Sequence, residues 1–113
     1  MPSMIKAAVF VGDSRKRIRE FPDEAKAVAG RELFRVQCGS DPSDWKPMNT
    51  IGAGVREIRV QEAGQFRIIY LAKFAEAIYI LHAFQKKTAQ TPKRDIDLAR
   101  RRFNALAKER SSE

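Results

Sequence analysis

The chain is poor in the residues that most sites are built from: its 113 residues hold one cysteine, Cys38, and one histidine, His82. A lone cysteine forms no disulfide within the chain, and a mildly buried thiol in a reduced, cytoplasmic setting is the expectation. One cysteine and one histidine 44 positions apart make no zinc site, and no run of carboxylates suggests a hard cation, so neither metal nor cofactor is expected. Phosphate-cradling glycine loops of the P-loop or dinucleotide-binding kind are missing. No apolar run approaches the roughly 18 residues of a membrane span. The opening MPSMIKAAVFVG is too short and too soon charged for a secretory signal, so a soluble protein without a membrane partner is expected. Without a long Pro/Gly/Ser-rich linker, residues 1–113 read as one domain, large enough to fold without staples.

Positive charge is plentiful. Lys and Arg total 22 against 14 acids, a formal charge of +8, and residues 86–110 alone carry a net +6. Such an excess favours nucleic acid, an acidic protein or an anionic membrane without choosing among them.

The stretch from Gly54 to Lys87 organises the rest. Three runs rich in Val, Ile, Phe and Tyr, Val55 to Val60, Phe66 to Ala72 and Ala77 to Phe84, are separated by a few small or polar residues, the pattern of an antiparallel meander. Side chains alternate faces along a strand. One face then takes Arg56, Ile58 and Val60, Phe66, Ile68 and Tyr70, and Ile78, Ile80, His82 and Phe84. The other takes Val55, Glu57 and Arg59, Arg67, Ile69 and Leu71, and Tyr79, Leu81, Ala83, Gln85 and Lys87. That second face gathers Glu57, Arg59, Arg67 and Lys87, a poor basis for a core and a good one for a phosphate. His82, among isoleucines, reads as a core histidine with one hydrogen bond rather than as part of a Ser, His and Asp relay.

Around the meander, Lys6 to Val11 is an apolar strand fit to extend the sheet, and Asp13 is placed to N-cap a helix over SRKRIREF. Pro22, Asp23 and Glu24 open a second helix, whose Val28, Ala29, Leu33 and Val36 recur at helical spacing and whose stop is Gly39. The two form a helical hairpin, with a basic outer face that solvent satisfies. Ser40 to Gly54 reads as a loop. In it Trp45 either plugs the end of the core or stacks a base, and Lys46 is a phosphate contact in both cases. Thr91 and Pro92 start a C-terminal helix with Ile96, Ala99, Phe103 and Leu106 as its apolar stripe. Its Arg100 and Arg101 either contact RNA or an acidic partner or are simply solvated. The fold class is α+β.

A site made of guanidinium and ammonium groups can still cleave RNA. The ribose 2′-hydroxyl is the nucleophile, so the protein need only align it and stabilise the charge that develops at phosphorus. Arginine suits this because its planar fork binds two phosphate oxygens and stays charged.

The order strand, two helices, basic loop, three-strand meander and basic C-terminal part resembles the RelE/ParE/HigB superfamily of bacterial toxins. The wording GVREIRV, FRIIYLAKF and YILHAFQKKTAQTPKRDIDLA is similar to its phage-derived, HigB-like branch, from about Val9 to Ala107. The resemblance implies a RelE-like fold and a type II toxin that cleaves messenger RNA, with the ribosome as its setting. It implies a helix-turn-helix antitoxin as partner, with operator DNA reached only through that antitoxin. By position it puts Arg67, within FRIIY, on the scissile phosphate and Arg59 and Lys87 on the developing charge, while Lys46 and Lys86 position the strand. Two departures stand out. Glu57 occupies a position where RelE-type toxins carry lysine, and either acts as general base or pairs with Arg59 or Arg67. KKTAQTPK lacks the tyrosine such toxins use after the last basic position, and neither Tyr79 nor Tyr70 replaces it convincingly. Two alternatives stay open: a ParE-like gyrase poison acting through protein contacts, and a non-catalytic scaffold that binds nucleic acid through the C-terminal helix.

Overall fold

A computed structural model describes residues 5–111; the extreme ends of the expected 1–113 domain, including the first four residues of the N-terminal segment, lie outside it. In chain order the elements are β1 Ala7–Phe10, α1 Ser14–Arg19, α2 Asp23–Gln37, β2 Trp45–Pro47, β3 Val55–Gln61, β4 Gln65–Leu71, β5 Ala77–Gln85 and α3 Lys93–Ser111. One mixed sheet runs β1-β5-β4-β3-β2. β3, β4 and β5 form the antiparallel meander, β1 joins β5 in parallel, and β2 pairs antiparallel with β3. The fold class is therefore as the sequence indicates. The expected loop from Ser40 to Gly54 holds the short edge strand β2, which a three-residue run ending in proline does not announce.

The sheet is covered unequally on its two faces. Against one, Ala25, Ala29, Leu33 and Val36 of α2 and Ile18 of α1 meet Ile58, Val60, Phe66, Ile68, Tyr70, Ile78 and Ile80. Fully burying an aliphatic side chain of this size contributes about 1.5–3 kcal/mol, so this layer dominates the stability. α2 stops where Gly39 takes φ 89°, and the Gly39 and Ser40 amides donate to the carbonyls of Val36 and Arg35. This Schellman closure needs a residue without Cβ at the left-handed position. Against the other face, Ala99, Ile96, Phe103 and Leu106 of α3 cover Val55, Ile69, Leu71 and Leu81. The polar end of that face, with Glu57, Arg59 and Arg67, lies beyond this apolar cluster.

Strict alternation fails in β5. Ile69 pairs with His82 and Tyr70 with Ile80, so Leu81 is an extra residue, a β-bulge. Beyond it the faces exchange. Ala83 joins the core under α1 and α2, while Phe84 joins the cluster under α3 and His82 bonds to that helix. The expectation that His82 and Phe84 share a face with Ile78 and Ile80 is thus corrected. Carbonyls at the bulge have other donors: Val11 N–H and the Ser14 hydroxyl on Ile80, and the Arg102 guanidinium on Leu81. Asp13 does not cap α1 with its side chain. Its carboxylate accepts from Arg17 at 2.9 Å and from Arg102 at 2.7 Å instead, joining the start of α1 to α3.

Candidate functional site

β3 and β4 set the first part of the site. Alternation puts Glu57, Arg59 and Arg67 on one face, and the register pairs Arg59 directly with Arg67. Like charges directly opposite each other repel, and each guanidinium has its own counter-charge. Arg59 Nη1 is 3.6 Å from Asp44 Oδ1, and Arg67 Nε is 3.5 Å from Glu57 Oε1. β2 adds Lys46, opposite Glu57 in the register, with Nζ 3.9 Å from the same Oε1. The hydroxyl of Thr91, just before α3, donates to Glu57 Oε2 at 3.4 Å. Thr91 thus ties the approach to α3 to the sheet.

Burial separates these groups by task. Glu57 is fully buried and Arg67 is 6 % exposed, whereas the side chains of Lys46 and Arg59 are 40 % and 35 % exposed. A buried carboxylate is tolerated only with compensating charge, here two cations and a hydroxyl. The compensation is incomplete: Glu57 Oε1 and Arg67 Nε make no hydrogen bond. Arg67 Nη1 is occupied by the Phe66 carbonyl at 3.0 Å. Burial lowers the pKa of Arg67, and Glu57 opposes the shift. Beneath a rim of accessible cations there is thus a buried guanidinium with an unused donor.

The bulge decides which lysine completes the group. The expectation places Lys87 on the face of Arg67, but the exchange of faces brings Lys86 there. Partial burial lowers the pKa of Lys86, as do the neighbouring charges of Arg67, Lys46 and Arg59, while Glu57 works against the shift. Lys86 also shares a cavity of about 430 Å³ with Lys46 and Thr91. Lys87 points elsewhere, into a cleft lined by Arg17, His82, Arg94 and Arg101.

The remaining expected residues divide in the same way. Trp45 pairs with Ile58 on the face opposite Lys46, and it is half-buried with the Arg56 guanidinium 4.1 Å from its ring centroid. It does not join the cationic group. Arg100 holds the carbonyl of Thr50 at 2.7 and 3.1 Å and pairs with Asp97, so it anchors α3 to the β2–β3 connection. Arg101 is exposed in the Lys87 cleft. Sequence reasoning missed Asp44 and the contact of Thr91 with Glu57. It read His82 as a core histidine with one hydrogen bond, as found, and missed only that Asp95 is the partner.

The family model for phage-derived Gp49-like proteins (DUF891) matches residues 16–104, most of the chain. The chain belongs to this Gp49-like family. The family is related to RelE-type toxins, and the matched region spans every residue of the cationic group. No match was found among the curated proteins. Among the described residues of this Gp49-like chain, no helix is long and apolar enough to cross a membrane.

Proposed function

We infer that this Gp49-like protein is the toxin of a type II toxin-antitoxin pair, of the HigB-like kind, and that it cleaves messenger RNA on the ribosome. The observation that carries this reading is the cationic rim of Lys46, Arg59 and Lys86 around buried Arg67, whose Nε–H has no acceptor. A phosphodiester meets the rim first, and the Arg67 guanidinium beneath it stabilises the charge that develops at phosphorus. The 2′-oxygen then bonds to phosphorus as the bond from phosphorus to the 5′-oxygen breaks, leaving a 2′,3′-cyclic phosphate and a 5′-hydroxyl. The 2′-hydroxyl gives its proton to solvent water as it attacks, and the departing 5′-oxygen gains one. Lys86, with its lowered pKa, is suited to supply that proton. Glu57, sealed from solvent and within ion-pair reach of Lys46 and Arg67, holds those two cations in place rather than serving as the base. A helix-turn-helix antitoxin neutralises the toxin and carries the pair to operator DNA.

The test is expression without an antitoxin, with growth and RNA 5′ ends followed together. Arg59→Gln and Lys86→Gln alter accessible side chains, and each is expected to lower cleavage about 100-fold, the usual effect of losing one donor to a developing charge. Full toxicity and unchanged RNA ends in both variants would sink the reading. Gyrase-dependent DNA breaks in place of RNA ends would favour the ParE-like alternative.

A further inference from the structure

The connection from Lys86 to Pro92 separates two positively lined depressions. On one side are Lys86 and Lys46. On the other is a cleft of about 480 Å³ between α1 and the start of α3, lined by Arg17, Lys87, Arg94 and Arg101 over a floor of His82 and Phe84. Lys87, Arg94 and Arg101 are exposed and make no ion pair among the described residues. The one carboxylate lining the cleft, Asp95, is committed: its Oδ1 stands 2.7 Å from His82 Nε2. His82 is 1 % exposed, and its Nδ1 has no hydrogen-bond partner. A concave surface with several uncommitted cations and no free anion is electrostatically incomplete, since closely spaced positive charges raise one another's energy until a counter-charge arrives.

We propose that this cleft is a second phosphate-binding site, which grips the same single-stranded RNA at a phosphate away from the one being cleaved. The inference rests on the RNA-binding part of the function proposed above. The occupant is a polynucleotide because the two depressions share one wall, Lys86 facing one and Lys87 the other, so that a strand crossing the 86–92 connection meets cations on both sides of it. Arginine forks on α3 match phosphate oxygens in pairs. Neutral His82, held by Asp95 and stacked on Phe84 at a centroid distance of 5.2 Å, supplies a rigid, uncharged floor. Burial pushes its pKa down, so the floor adds no charge of its own.

His82 is the single histidine of the chain, and its ring nitrogens therefore give one unambiguous set of NMR signals. The experiment titrates a 2′-O-methyl RNA hexamer, which cannot undergo 2′-hydroxyl attack, into the full-length protein. It is repeated with Arg59→Gln, which alters an accessible side chain of the cleavage site, and with the double variant Arg94→Gln/Arg101→Gln. Expected are a saturable shift of the His82 signals in the wild type and in Arg59→Gln, and its loss in the double variant. The slope of log affinity against log salt should also fall by about 1.4 in the double variant, two contacts at about 0.7 each for a single strand. Equal affinity and slope in the double variant would overturn the proposal. So would a shift produced by inorganic phosphate or by polyglutamate but not by the hexamer, which would assign the cleft to a free anion or an acidic protein. Because Arg59→Gln impairs the cleavage site without touching the cleft, failure here is distinguishable from failure of the nuclease reading.

Discussion

At the scale of the residue, the feature that most constrains this protein is a carboxylate with no access to water. Glu57 is completely buried, and its nearest cation, Arg67, is nearly so. Removing one partner of a buried pair leaves the other uncompensated, at a cost of about 3–5 kcal/mol. Arg67→Gln is therefore expected to destabilise the fold by about that amount, while Glu57→Gln/Arg67→Gln together cost less than Arg67→Gln alone. Denaturant unfolding of the four proteins in the cycle measures this. Strictly additive losses would show that the two groups do not hold each other. The pairing was legible in part: alternation put Glu57 and Arg67 on one face, and pairing was one of the two roles open to Glu57. Its depth was not legible, because burial depends on how the segment leading into α3 crosses the sheet, as the Thr91–Glu57 contact shows.

At the scale of the element, α3 is the piece held by the most varied chemistry. Its apolar stripe packs on the sheet, Arg100 bonds the Thr50 carbonyl, Arg102 bridges Leu81 and Asp13, and Arg110 pairs with Glu76 at 2.7 Å. Close packing here has a sharp test. A Cβ on Gly52 would stand 2.4–2.6 Å from the Phe103 ring. Gly52→Ala should therefore cost about 1–3 kcal/mol, the usual penalty of overpacking. Adding Phe103→Leu should restore part of it, and thermal unfolding of the three variants reads both effects. The Asp13 bridge sets a pH window. Hydrogen bonds from Arg102 and Arg17 lower the Asp13 pKa from 3.8 to about 2. A carboxyl with a depressed folded pKa stabilises above its unfolded value and loses that contribution as pH falls through the folded one. The stability advantage of wild type over Asp13→Asn should be constant above about pH 4 and shrink between pH 4 and about 2. Constancy across that window in paired unfolding curves would mean the bridge contributes nothing.

At the scale of the whole molecule, the net charge of +8 is placed unevenly: one sheet face is closed by α1 and α2, and on the other α3 covers the apolar half and leaves the cationic end open. Association with RNA at that end should be strongly salt-dependent. Three accessible cations, Lys46, Arg59 and Lys86, correspond to a slope of about −2 in log affinity against log salt for a single strand. Direct titration of a 2′-O-methyl oligonucleotide with the cleft variant Arg94→Gln/Arg101→Gln as host isolates this contribution. A slope near zero in that host would mean that the rim does not contact phosphate.

The sequence by itself determined the α+β class, the meander, the apolar faces of α2 and α3, and the shared face of Glu57, Arg59 and Arg67. Each of these follows from a short-range period that a side chain cannot escape. Only the tertiary structure decided that Leu81 bulges, that His82 and Phe84 therefore turn toward α3, and that Lys86 rather than Lys87 stands beside Arg67. A bulge is one residue too many in a ladder, held because Val11, Ser14 and Arg102 arrive from distant segments to bond the carbonyls at its site. Its position thus depends on partners that no local pattern within β5 contains.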